Sequence, residues 1–117
     1  YHRVLVALGH FASAAALIAL LIAHRLQTSP IVDQALLFGF GIAISTQVLI
    51  YGMVRQRVPA SEAGRALSAL NVSLFGGAAV LQVASGAAAT VGGPALGLLT
   101  FSVATVACTT AFLMCRD

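Results

Sequence analysis

Residues 4–23 read VLVALGHFASAAALIALLIA, with Arg3 before them and His24-Arg25 after. The run has the roughly 20 apolar residues that cross the hydrocarbon core of a bilayer. It is also too long for the core of a typical secretory signal. Three more runs of this kind follow, at residues 31–54, 66–90 and 94–114. All are continuous and rich in alanine and leucine, without the alternation that membrane barrel strands need. The pattern predicts helices over about 4–24, 31–54, 62–90 and 94–115. The expected fold is an all-α membrane protein of four antiparallel transmembrane helices.

The whole chain agrees. It has 117 residues, 60% hydrophobic and 8% charged, with a mean hydropathy of +1.01. Soluble domains are about half apolar and about a quarter charged. So few polar residues cannot cover a surface in water, whereas lipid makes no such demand. The lipid bilayer is therefore the first partner that the sequence implies. The formal charge of +3 comes from six arginines, no lysine and three acids. The arginines sit at the ends of the runs, and no basic stripe interleaves with aromatics. That argues against nucleic acid.

Short links carry turn chemistry. Thr28-Ser29-Pro30 offers a cap and a proline at the first helical position, and Asp33 suits the positive helix end. Val58-Pro59-Ala60-Ser61-Glu62 is expected to do the same for the third run. Gly92-Gly93-Pro94 reads as a tight hairpin before the last run. Links this short force neighbouring helices to run antiparallel. Four spans then collect Arg3, Arg55, Arg57, Arg65 and Arg116 on one side and leave Arg25 alone on the other, offset by Asp33, with no charge in the last turn. The positive-inside rule assigns both termini of this segment to the cytoplasm, in a multi-pass protein of the cell's inner membrane. Two small-residue faces, Ala69-Ser73-Gly77 and Gly39-Ala43, are expected to let other helices approach closely.

Apart from Asp33 at the mouth of the second run, no acid, lysine or arginine lies within the runs. His10 is the one weak candidate for a proton-carrying group, and packing explains it as well. Uncharged polar residues stand out more. Ser68, Asn71, Gln82 and Ser85 share a stripe with Phe75 and Ala78, by steps of three and four. The second run adds Ser45, Thr46, Gln47 and Tyr51. Amides cannot stay unpaired in hydrocarbon, so the stripe faces protein or water. Both a lined aqueous pathway and hydrogen bonding between helices fit that requirement.

Catalytic patterns are missing. There is no HExxH, no Walker loop and no serine–histidine–carboxylate set, so an enzyme is not expected. Gly39-Phe40-Gly41 lacks the third glycine of a dinucleotide loop. Cys108 and Cys115 lie about two helical turns, roughly 10 Å, apart. A disulfide needs Cα atoms closer than about 7 Å, so they cannot pair within one helix. The segment offers too few ligands for a metal, and no cofactor is expected.

The second connection reads Arg55-Gln56-Arg57-Val58-Pro59-Ala60-Ser61-Glu62-Ala63-Gly64-Arg65-Ala66. It resembles the cytoplasmic loop between helices ten and eleven of the major facilitator superfamily. The stretch from Asn71 to Gly86, with Phe75-Gly76-Gly77 and Gln82, is similar to the eleventh helix, and the run holding Gly39-Phe40-Gly41 to the tenth. The resemblance implies that the four runs are helices nine to twelve of a twelve-helix secondary transporter. Such a permease moves a small solute by alternating access between two halves built of inverted repeats. Its partners would be the missing N-terminal helices and a substrate that this sequence does not reveal; the opening Tyr1, not Met, is expected from either processing or missing upstream sequence. The family pattern would put Ser45, Gln47 and Tyr51 on the cavity wall and Asn71 and Gln82 at the moving seam. It would mark Arg55, Arg57, Pro59, Gly64 and Arg65 as the loop motif, and turn the first and last runs outward. The alternative is a complete four-helix protein, either a small oligomeric exporter or an accessory or assembly subunit. The exporter would need a first-helix glutamate that the first run lacks.

Overall fold

The computed structural model describes residues 1–115. Three helical stretches are long and apolar enough to cross a membrane: His2–Arg25, Pro30–Arg57 and Ala63–Met114. The first is α1 (His2–Arg25). The second is α2 (Pro30–Ile44), a single 3₁₀ turn (Ser45–Gln47) and α3 (Val48–Arg57), and the third is α4 (Ala63–Met114). No strand occurs among the described residues. Arg116, counted in the charge asymmetry, lies outside them.

The expected count of four helices is corrected to three. The last two runs form one helical element, α4, in which Gly93 alone has non-helical angles, φ 75° and ψ 178°. A straight helix of 52 residues would be about 78 Å long. The longest extent of the whole molecule is 53 Å, so α4 folds back on itself. The arms are residues 63–92 and 94–114. A Cβ built on Gly97 would lie 2.9 Å from the Ser85 carbonyl oxygen and 3.1 Å from the Ala89 Cβ, which shows how closely the arms meet. Only glycine readily takes these angles. Pro94 then starts the second arm with φ already set for helix.

Other ends follow local chemistry. α1 closes in a Schellman arrangement: the Gln27 N–H donates to His24 O (3.2 Å) and the Thr28 N–H to Ala23 O (3.1 Å). Gln27 takes the left-handed position, φ 51°, which glycine usually fills. Ser29 is the N-cap of α2, with Pro30 first in the helix and Asp33 in the first turn; the Ser29 side chain makes no capping bond. The second link departs from expectation. Pro59 is not the first helical residue but sits in a turn closed by the Glu62 N–H on Pro59 O (2.9 Å). Its ring holds Val58 extended, φ −118° and ψ 149°, as the residue before proline prefers. The helix starts only at Ala63.

α1 is the central element. Among the described residues, the buried ones lie on α1 (Val6, Ala7, Gly9, Ser13, Ala14, Leu17, Ala23) and the second arm of α4 (Gly97, Ser102, Thr109). α2 and α3 bury none. Runs that the family pattern would turn outward therefore form the packed centre of this chain. α1 and the second arm are antiparallel. At one end the Arg3 guanidinium donates to the carbonyl oxygens of Phe112, Leu113 and Cys115 and lies 5.2 Å from the Phe112 ring centroid. A cation there satisfies the last carbonyls of α4 and opposes its negative dipole end. At the other end Arg25 and Gly93 line one cavity.

Close approach of α1 and α2 depends on Gly9. A Cβ there would meet Thr46 Oγ1 at 1.9 Å and the Ala43 carbonyl oxygen at 2.6 Å. Ala43 thus does what its small size suggested, whereas Gly39, Gly76 and Gly77 have nothing within 4 Å of a built Cβ. Phe38, Val72, Phe75 and Val83 are 73–74% exposed. The accessible surface is 7811 Å², against about 5,900 Å² for a globular protein of this mass. The chain is open on the side of α4's first arm.

Candidate functional site

The polar residues of the second run centre on the 3₁₀ turn. Ser45 Oγ donates to Ile42 O (2.7 Å) and Thr46 Oγ1 to Ala43 O (2.9 Å). Both hydroxyls reach back three residues, a pattern that competes with regular helical bonding. They flank the point where α2 gives way to tighter winding, as hinges inside long helices often do. Gln47 ends the turn, half-buried.

One helical turn on, Tyr51 joins this segment to α4. Its hydroxyl donates to Asn71 Oδ1. The two residues expected on different walls are thus brought together in one link between α3 and the first arm. Gln82 lies elsewhere. It borders a groove of about 570 Å³ between α1, α2 and both arms, where Leu17, Phe40 and Phe101 supply apolar walls and Ser85 a hydroxyl. Ser85 Oγ is held on the Gln82 main-chain oxygen, 3.1 Å away. Ser45 and Gln47 do not line this groove. The five candidates therefore fall into a polar hinge, a Tyr51–Asn71 link and a groove-side amide, not one cluster.

The loop motif is wholly at the surface. Arg55, Arg57, Pro59, Gly64 and Arg65 are all exposed. A Cβ on Gly64 would meet nothing within 4 Å, so no contact in this chain requires glycine there. The stripe on the first arm is open too: Ser68, Asn71, Phe75, Ala78 and Gln82 are exposed and Ser85 half-buried.

Some features were not anticipated. Gly9 and Ser13 form the small-residue face that α1 uses, with Ser13 fully buried and its Oγ on Gly9 O at 2.8 Å. Their four-residue spacing was the available signal. His10 shares a cavity of about 150 Å³ with Ile50, Cys108, Thr109 and Phe112. Its Nδ1 is 2.8 Å from Val6 O, which fixes the ring within its own helix. Cys108 and Cys115 are exposed free thiols. No group of three or more His, Cys, Asp or Glu side chains that would hold a metal occurs among the described residues.

The fold and these polar sites define a class: an all-helical chain whose three long apolar helices are compatible with a membrane. The chain matches no family model, no curated protein and no solved structure. None of these comparisons bears on the expected likeness to the major facilitator superfamily.

Proposed function

We propose that the chain forms part of the C-terminal half of a major facilitator-like secondary transporter and helps move a small solute across the inner membrane by alternating access. The observation that carries this reading is the open amide stripe on the first arm of α4. Asn71 and Gln82 sit exposed on a stretch long and apolar enough to span a bilayer. The Asn71 amide oxygen accepts from the Tyr51 hydroxyl, which leaves its NH2 group and the Gln82 amide uncovered; in hydrocarbon each unsatisfied polar group would cost roughly several kcal/mol. The stripe therefore calls for protein or water beyond this chain. A second helical half with an aqueous cavity between the halves supplies both. The hinge at Ser45–Gln47 and the Tyr51–Asn71 link give the segment a place to bend and a contact to break. Both termini of the segment are cytoplasmic in this reading.

A cysteine scan tests it. Cys108 and Cys115 are replaced in the full protein, and cysteine is placed at position 47 or 82. A water-soluble thiol reagent should modify both sites, with access to position 47 changing when a transported solute is supplied. Complete protection of both under every condition would assign them to packing. The exposed Ala69-Ser73-Gly77 face favours one second reading, an accessory or oligomeric four-run protein whose helices only pack on partners. Under that reading labelling would not depend on any solute.

A further inference from the structure

At the end of the molecule opposite Arg3, two cavities adjoin. One, of about 390 Å³, is lined by His24, Arg25, Gln27 and the Gly92-Gly93-Pro94 reversal. The other, of about 300 Å³, runs beside Leu21, Leu96 and Leu99. They share Arg25, Gly92 and Ala95. A cation thus stands at the junction of a polar recess and a leucine-walled groove. A Cβ built on Gly93 would meet nothing within 4 Å, whereas one on Gly92 would run into Leu96. Asp33, at the same end of the molecule, lines neither cavity. The Arg25 guanidinium has no hydrogen bond or ion pair among the described residues.

We propose that this junction binds an anionic phospholipid, its phosphate on Arg25 and one acyl chain in the groove beside Leu96 and Leu99. The inference rests on the membrane reading of the chain but not on its transporting anything. Arginine at a helix end extends its charge to headgroup depth, where lipid phosphate lies on either side of a bilayer. The guanidinium fork matches phosphate oxygens in pairs. A free phosphate would leave the leucine groove unused. A zwitterionic lipid would bring a second cation close to Arg25.

The test is native mass spectrometry of the full protein, released from detergent with equal amounts of dioleoyl-phosphatidylglycerol and dioleoyl-phosphatidylcholine. Wild type should retain phosphatidylglycerol in preference, and Arg25→Lys, which keeps the charge but not the fork, should retain it less than wild type and more than Arg25→Gln. Arg25→Gln should retain it about fivefold less, the factor expected for one surface cation. Leu99→Asn should also weaken retention while leaving Arg25 in place. Excess inorganic phosphate should not displace the lipid. Equal retention by Arg25→Gln, or complete displacement by phosphate, would overturn the proposal. Release of the protein from native membranes by an alkaline wash would instead overturn the membrane reading beneath it. The two failures are therefore distinguishable.

Discussion

Gln27 is the clearest residue-scale compromise in the chain. Its φ of 51° closes α1 and turns the backbone toward Pro30, yet a side chain with a Cβ costs about 1 kcal/mol or more in that region. Gln27→Gly should therefore raise stability by about 0.5–1 kcal/mol, read as a higher unfolding temperature in detergent; a lower one would mean that the glutamine side chain makes a contact of its own. Gly9 makes the opposite case. Any side chain there meets the Ala43 carbonyl oxygen, which lies within 2.6 Å of a built Cβ and cannot rotate away. Gly9→Val should destabilise the α1–α2 pair by about 1–3 kcal/mol, the usual cost of overpacking. The same thermal assay reads it, and an unchanged melting temperature would mean that the helices can separate freely. At this scale the sequence was partly legible. Ala43 was visible as a small contact residue, but a Cβ built on Gly39 of the same face would meet nothing within 4 Å. A small residue permits close approach, and only the partner's position decides where it happens.

Elements were read as helical, but neither their number nor their joints followed. The apolar runs mark where helix lies, since bilayer length and continuous hydrophobicity leave little choice, yet four expected helices come out as three helical stretches. The joint between the last two runs is where expectation and structure part. Gly92-Gly93-Pro94 was legible as a reversal, but it folds so tightly that one residue, Gly93, carries the whole break in α4. A substitution isolates this. Gly93→Ala should destabilise by about 1–3 kcal/mol, the cost of holding a non-glycine residue in that region, without preventing helix formation. Near-unchanged helical content by circular dichroism with earlier unfolding is the expected result. Wild-type stability would show that the reversal does not need these angles. The 3₁₀ turn was not legible, because Ser45-Thr46-Gln47 reads equally well as a plain polar patch. The same holds for the candidate site. Residue types were visible, but the Tyr51–Asn71 link depends on how α3 and the first arm cross, which no local pattern encodes.

On the scale of the whole molecule, packing is lopsided. α1 and the second arm of α4 hold every buried residue described, while the arm with Asn71 and Gln82 lies open. Lipid satisfies exposed valine and phenylalanine but not exposed amides. In the proposed reading this imbalance calls for a larger assembly, which makes the native partner the central question. Intact mass of the native protein, taken from the membranes of its source, answers it most directly. The account predicts a mass of roughly three times the 11.9 kDa of this chain, as two six-helix halves require. A native mass near 11.9 kDa would contradict it and make these helices the subunit of an oligomer or an accessory to another membrane protein.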